Sequence, residues 1–182
     1  MPDDICEALL TALRGARWSS QTDRPKVASV GYIVLEQPPP AKGPEGGCVA
    51  ESAGSKRARA KRERHARLWE AVAAWMAVVD PTFEYTGVAC SKGFRGSPHV
   101  DTYDIAYQWA ISLGDFEGGA LCVESAADEV SVVNTRRRAA KVDGRYPHWV
   151  APWSGERYSV IVYKTRGKAV PLGPAVYQVQ VR

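Results

Sequence analysis

The chain is expected to fold as an α+β domain, with helices near its start and a sandwich or barrel of short strands through its second half. Three observations predict this class. From residue 83 onward the sequence breaks into seven or eight short runs rich in β-branched and aromatic residues, which is strand composition. Gly114, Gly118-Gly119 and Asp143-Gly144 punctuate those runs at hairpin-like intervals, supplying turn residues where strands must reverse. Ahead of them, two segments repeat apolar residues at steps of three and four, the spacing of a helix with one buried face.

Taken in order, Pro2-Asp3-Asp4 followed by Ile5, Ala8, Leu9 and Leu13 combines a helix-start signal with helical periodicity. KVASVGYIVLEQ (26–37) reads as a strand. PPPAKGPEGGCVAESAGS (38–55) has almost nothing to bury and is expected to be a flexible loop. KRARAKRERHARLWEAVAAWMAVVD (56–80) is a run of helix formers, basic in its first half and apolar in its second. Leu68, Val72, Trp75, Met76 and Val79 fall on one face and should dock on the core. The strands expected after it are FEYTGVAC, YDIAYQWAISL, GALCVES, EVSVVNT, AAKV, YPHWVAP and ERYSVIVYKT, with AVYQVQV as an eighth. In IAYQWAISL the residues Ile105, Tyr107, Trp109, Ile111 and Leu113 alternate with smaller or polar ones, the period of a strand with two unlike faces.

At 182 residues, 45% of them apolar and 24% charged, the chain has the size and composition of one globular domain with a real core. No window approaches a membrane-spanning length of apolar residues, and the N-terminus carries two acids ahead of its apolar stretch, unlike a secretory leader. A soluble intracellular protein without membrane association is therefore expected. Cys6, Cys48, Cys90 and Cys122 are scattered, with no C-x-x-C pair, so reduced thiols are expected in place of a zinc ribbon or redox motif. The formal charge of +4 permits a nucleic-acid partner without requiring one.

The chain has only three histidines. His99 stands two residues before Asp101 in SPHVDTYD, and His148 follows in VDGRYPHWVAP. Residues i and i+2 of a strand project to one face, so His99 and Asp101 can converge, with His148 contributed by a strand paired across the barrel. Two histidines and a carboxylate make the facial triad that holds Fe(II) and leaves the opposite positions open. The same three residue types can bind zinc, and His-x-Asp alone can be a hydrogen-bonded turn. Arg157 and Ser159 in GERYSVIVY share a face with Ile161 and Tyr163, and a guanidinium fork beside a hydroxyl suits the distal carboxylate of a dicarboxylic co-substrate. A zinc site leaves that pair without a role.

These residues in this order resemble the Fe(II)/2-oxoglutarate-dependent dioxygenases. The match is His99-x-Asp101, the distal His148, and Arg157-x-Ser159 on the following strand, with GDFEGGALCVES between them. It spans 83–165, leaving 1–80 as N-terminal helices, strand and loop, and 166–182 as a C-terminal extension. The resemblance implies a double-stranded β-helix, or jelly roll, with flanking N-terminal helices. It implies His99, Asp101 and His148 on iron and Arg157 with Ser159 on 2-oxoglutarate. Dioxygen would be consumed and ascorbate could serve as reductant, the keto acid leaving as succinate and carbon dioxide while an inert C–H bond is hydroxylated. Within the group, VDGRYPHWVAP and GERYSVIVYKT look most like the TET/JBP-type oxygenases of 5-methylpyrimidines in nucleic acid, although the cysteine-rich zinc-binding segment of the animal enzymes is absent. A protein or small-molecule hydroxylase and a non-catalytic jelly-roll module are the alternatives.

Further expectations concern the rim. Tyr107 and Tyr163 could donate a hydrogen bond to the co-substrate. Trp149 could stack on a planar substrate or pack, and Arg95 could meet a polyanion or a surface acid. The basic helix 56–67 is either a solvated face or a contact for DNA or RNA. His65 within it is expected to do no chemistry.

Overall fold

The computed structural model describes residues 1–19, 27–38 and 52–179. Helix α1 (Asp3–Arg14) opens the chain and buries Cys6, Leu9, Leu10 and Leu13; Ala8, expected on that stripe, faces solvent. Strand β1 (Val27–Ala28) and strand β2 (Gly31–Glu36) follow. Residues 39–51, most of the expected flexible loop and including Cys48, lie outside the described residues. Cys6, Cys90 and Cys122 are free thiols.

The expected helix 56–80 is two helices. Helix α2 (Ala53–Arg64) starts inside the segment expected to be loop, because the Ser52 hydroxyl accepts from the Ser55 amide and caps it. Helix α3 (Ala66–Val79) begins after His65, whose backbone leaves helical geometry at φ −113°, ψ 32°. The break separates the two halves by environment. No residue of α2 is buried, whereas α3 buries Leu68, Val72, Trp75 and Met76. His65 is buried at the junction, where desolvation lowers its pKa and keeps its ring neutral.

Ten strands follow among the described residues: β3 (Gly87–Lys92), β4 (Arg95–Gly96), β5 (Gln108–Leu113), β6 (Phe116–Gly118), β7 (Leu121–Ala126), β8 (Glu129–Val133), β9 (Ala140–Val142), β10 (His148–Val150), β11 (Trp153–Gly155) and β12 (Tyr158–Tyr163). The described part of the expected strand AVYQVQV contributes one antiparallel bridge, Val176 to Val142. The main sheet has the order β2-β3-β12-β5-β9, and facing it are the sheet β10-β7-β8 and the ribbon β11-β6. All these pairings are antiparallel. The result is an α+β fold with N-terminal helices packed on a double-stranded β-helix core.

Period-two patterning assigns the two faces of the main sheet. Ile33, Leu35, Val88, Cys90, Trp109, Ile111, Leu113, Tyr158, Val160 and Val162 pack with α1 and α3 in one core. The alternate residues Tyr32, Val34, Ala89, Ser91, Gln108, Ser159, Ile161 and Tyr163 line a cavity between the sheets. Burying both faces explains why β5 is inaccessible along its whole length. A second cluster, with Leu121, Val123, Ala140, Val142 and Ala175, fills the rest of the sandwich.

Tyr107 falls on the helix face, contrary to its expected role at the co-substrate. It stacks on Phe83, with ring centroids 4.8 Å apart, and donates to Asp80 Oδ2 at 3.3 Å. Trp109 Nε1 donates to the same oxygen at 3.1 Å. Asp80 thus satisfies two polar groups of an otherwise apolar interface. Replacing Asp80 by alanine should lower stability by about 1–3 kcal/mol, the cost of orphaning buried donors, as measured by urea denaturation; metal binding should be unaffected.

Candidate metal and co-substrate site

Four elements deliver the site. His99 lies in the segment after β4, and its backbone forms an antiparallel bridge with His148 at the start of β10. The amide of each donates to the carbonyl of the other, at 3.1 and 2.9 Å. Directly paired residues project to the same side of a sheet, so the imidazoles lie together, with centroids 4.4 Å apart. The expectation that His148 comes from across the barrel is thereby corrected: it is the immediate neighbour of His99.

Asp101 is brought to the pair by a backbone bond from its amide to Gly144 O at 2.8 Å. Its Oδ1 lies 3.8 Å from His99 Nε2 and its Oδ2 3.5 Å from His148 Nε2. One ligand atom from each residue falls within 4.8 Å of the others. The rings are oriented from behind. His99 Nδ1 lies 3.0 Å from Ser97 O and His148 Nδ1 lies 2.9 Å from Tyr146 O. Carbonyls only accept, so each Nδ1 carries the proton and each Nε2 presents its lone pair inward. Burial, the largest influence, pushes His148 below the usual histidine range, favouring the neutral form that a metal needs. Two imidazoles and a carboxylate, each oriented by a backbone group, fit a divalent ion with open positions left over.

Arg157 is only 3% exposed. Its Nη1 donates to Ser159 Oγ at 2.6 Å and its Nη2 to Gly119 O at 3.0 Å, while Nε–H has no partner. The guanidinium lies over the Phe116 ring, 5.3 Å from its centroid, and no carboxylate pairs with it among the described residues. Burial accordingly pushes it down to about 10. An unpaired buried cation is costly, and an anion at the adjoining cavity wall would relieve the cost. Ser159 is on that wall. Its row across the sheet, Tyr32–Ser91–Ser159–Ser112, is in register. Three of these four hydroxyls, those of Tyr32, Ser91 and Ser159, belong to cavity-lining residues. Gly119, at φ +70°, makes room for the guanidinium: a Cβ there would stand 2.7 Å from Arg157 Nε.

The cavity, about 470 Å³, joins the three ligands to Ser159. Tyr163 and Trp149 line it, whereas Arg157 is not among its lining residues. Neither is Arg95: it is exposed, stacks on Trp153 at 4.3 Å from the ring centroid, and donates to Trp153 O at 3.0 Å. Sequence reasoning passed over two lining residues. Gln108 is 2% exposed with Oε1 unpartnered, and Asp104 has a buried, unpartnered Oδ2. Desolvation first, then the neighbouring Asp101 and Asp143, push the Asp104 carboxyl up to about 7. The one available signal for Gln108 was its polar side chain between Tyr107 and Trp109.

Compared by sequence, the chain matches no family model and no curated protein. Compared by fold, it is similar to known structures. One is the crystal structure of an oxidoreductase of the 2OG-Fe(II) oxygenase family from Burkholderia pseudomallei, covering 90% of this chain and 79% of that one, with TM-score 0.51 and 12% identity. Another is a Pseudomonas putida prolyl-4-hydroxylase, covering 92% and 89%, with TM-score 0.52 and 16% identity. The fold is the one those two proteins share. At such identities the likeness carries the architecture, and the chemistry has to be argued from the side chains.

Gly144 gives the sharpest local test. A Cβ there would stand 2.5 Å from Gln108 Nε2 and 2.9 Å from Asp101 Oδ2. Gly144→Ala should weaken Mn(II) binding, followed by electron paramagnetic resonance, by about tenfold, the scale of disturbed ligand orientation.

Proposed function

We propose that this chain is an Fe(II)- and 2-oxoglutarate-dependent dioxygenase that hydroxylates a C–H bond. The observation that carries the reading is the joint presence of three inward-facing ligand atoms on the cavity and, bonded to the cavity-lining Ser159, a buried guanidinium that has no counter-ion among the described residues. His99, Asp101 and His148 would hold the metal. Arg157, assisted by Ser159, would hold the distal carboxylate of 2-oxoglutarate, with Tyr163 as a further cavity hydroxyl. When bound, the metal and keto acid supply oxidative decarboxylation by dioxygen, coupled to hydroxylation of the substrate; ascorbate would serve as reductant. The protein fixes both imidazole tautomers through Ser97 O and Tyr146 O, orients Asp101 through Gly144, and neutralises the co-substrate's far end. Phe94 and Trp149, both lining the cavity, would shield the ligands from bulk water.

For the substrate, we favour a protein side chain or a small molecule over a nucleic-acid base. The cavity is lined by Tyr32, Val34, Phe94, Val100, Tyr103 and Trp149 among others, with no lysine or arginine among the described lining residues. One of the similar folds is that of a prolyl-4-hydroxylase. A nucleic-acid substrate of the TET/JBP type remains the second reading, because one observation favours it. Helix α2 exposes Lys56, Arg57, Arg59 and Arg64, carries Lys61 and Arg62 half-buried, and packs beside β2, the strand whose Tyr32 and Val34 line the cavity. Among the described residues, no helix is long and apolar enough to cross a membrane.

With Fe(II) supplied anaerobically and air then admitted, the chain should convert 2-oxoglutarate to succinate slowly even without substrate. Arg157→Met should raise the KM for 2-oxoglutarate about a hundredfold, the loss of a charge-assisted double hydrogen bond, with Mn(II) affinity retained. Unchanged KM in that variant contradicts the assignment. For the second reading, oligonucleotide binding should weaken with salt, and changing Lys56, Arg57, Arg59, Lys61 and Arg62 to glutamine should flatten the dependence. Salt-independent binding rejects a role for α2.

A further inference from the structure

The segment after β12 touches the stretch just beyond Asp101 and the 143–146 loop that precedes His148. Ile105 N donates to Lys164 O at 2.8 Å, and Val170 N donates to Ile105 O at 2.8 Å, which ties the segment to the stretch just beyond Asp101. Farther on, it lies against the 143–146 loop. Arg145 Nη1 donates to Val170 O at 2.9 Å and Nη2 to Pro171 O at 3.3 Å. Tyr146 Oη donates to Gly173 O at 2.9 Å. Asp143 N donates to Ala175 O at 2.9 Å, and Tyr177 N to Lys141 O at 3.0 Å. Ala175 is 4% exposed and belongs to the second core cluster, so the segment is anchored by burial as well as by backbone bonds.

The loop it grips orients two of the three ligands. Gly144 O receives the Asp101 amide and Tyr146 O faces His148 Nδ1. Arg145 lies between these two residues and is locked on Asp143, which is fully buried, by bonds of 2.8 Å from Nε to Oδ1 and 2.6 Å from Nη2 to Oδ2. Its fork is thus shared between a carboxylate on the loop and two carbonyls on the segment, which fixes the distance between them. Each orienting carbonyl of this loop is therefore within two residues of a side chain bonded to the segment.

We propose that residues 170–177 act as a strap that sets the metal centre through this loop, with Arg145 and Tyr146 as positioning residues. The inference rests on the metal reading of His99, Asp101 and His148. Neither side chain touches the ion. Arg145 holds the loop at the height where Gly144 O meets Asp101, and the Tyr146 hydroxyl fixes the peptide whose carbonyl holds the His148 ring. Loosening the strap leaves all three ligands present and lets their directions scatter, so it should weaken the metal without removing a ligand.

The test uses Co(II) as a spectroscopic stand-in, titrated anaerobically into the full chain and followed by visible absorption. Tyr146→Phe removes one hydroxyl; Arg145→Gln/Tyr146→Phe removes the grip of both residues; Val162→Ala, in the helix-facing core, is a control that lowers stability away from the site. The double variant should bind Co(II) about tenfold more weakly with an altered ligand-field spectrum. Tyr146→Phe should shift in the same direction by less, and Val162→Ala should keep the native affinity and spectrum despite a lower Tm. Native affinity and spectrum in Tyr146→Phe and the double variant overturn the strap while leaving the metal reading intact. Equal weakening in Val162→Ala also overturns it, since the effect would then follow stability alone. No Co(II) binding by the unaltered chain overturns the metal reading itself, and the strap with it.

Discussion

The site depends on a single backbone pairing, the antiparallel bridge between His99 and His148. Two residues far apart in the chain are held side by side by two amide–carbonyl bonds, so the separation of the imidazoles is set by sheet geometry and does not depend on flexible side chains. The remaining orientation is also supplied by backbone: Ser97 O and Tyr146 O fix the tautomers, and Gly144 O fixes Asp101. Carbonyls of a folded chain cannot rotate freely or change protonation, which makes them dependable partners for groups that must present lone pairs. The double-stranded β-helix supplies this arrangement because it brings two sheets close at one end and leaves a cavity between them.

Against that ordered mouth stands a deliberate imbalance. Arg157 is buried with a hydroxyl, a carbonyl and an aromatic face for company, and its Nε–H is unpartnered. Folding the chain around an uncompensated cation costs stability that an apolar residue of similar length would not. The cost is intelligible where an anion completes the environment, and the hydroxyl row beside it offers that anion further donors. On the proposed reading, stability is conceded at the position where the co-substrate would bind.

Much of this was legible in the residues because strand periodicity is local. Alternation in β5 and β12 separated the helix-facing residues from the others, grouping Ser159 and Tyr163 with Ile161 on the face that lines the cavity. Tyr107 was placed on the apolar face by the same alternation, yet its hydroxyl suggested a polar role; Asp80, distant in sequence, satisfies that hydroxyl instead. What could not be read is register. Nothing in the order of residues says that His99 pairs directly with His148, that Tyr32, Ser91 and Ser159 share a row, or that residues 170–177 reach the 143–146 loop, because such pairings are fixed by tertiary packing. The break at His65 was hidden for a related reason: every residue around it is a competent helix former, and its ring is buried only by the tertiary packing at the junction.

The central claim is that the three ligands and the guanidinium serve one bound assembly. A crystal structure of the chain prepared anaerobically with Fe(II) and 2-oxoglutarate, with the ion located by anomalous scattering at the iron edge, tests it most directly. The account predicts one ion contacting His99 Nε2, His148 Nε2 and a carboxylate oxygen of Asp101, with the keto acid reaching from it to Arg157 and Ser159. Iron elsewhere, or a keto acid whose distal carboxylate leaves Arg157 untouched, would contradict it.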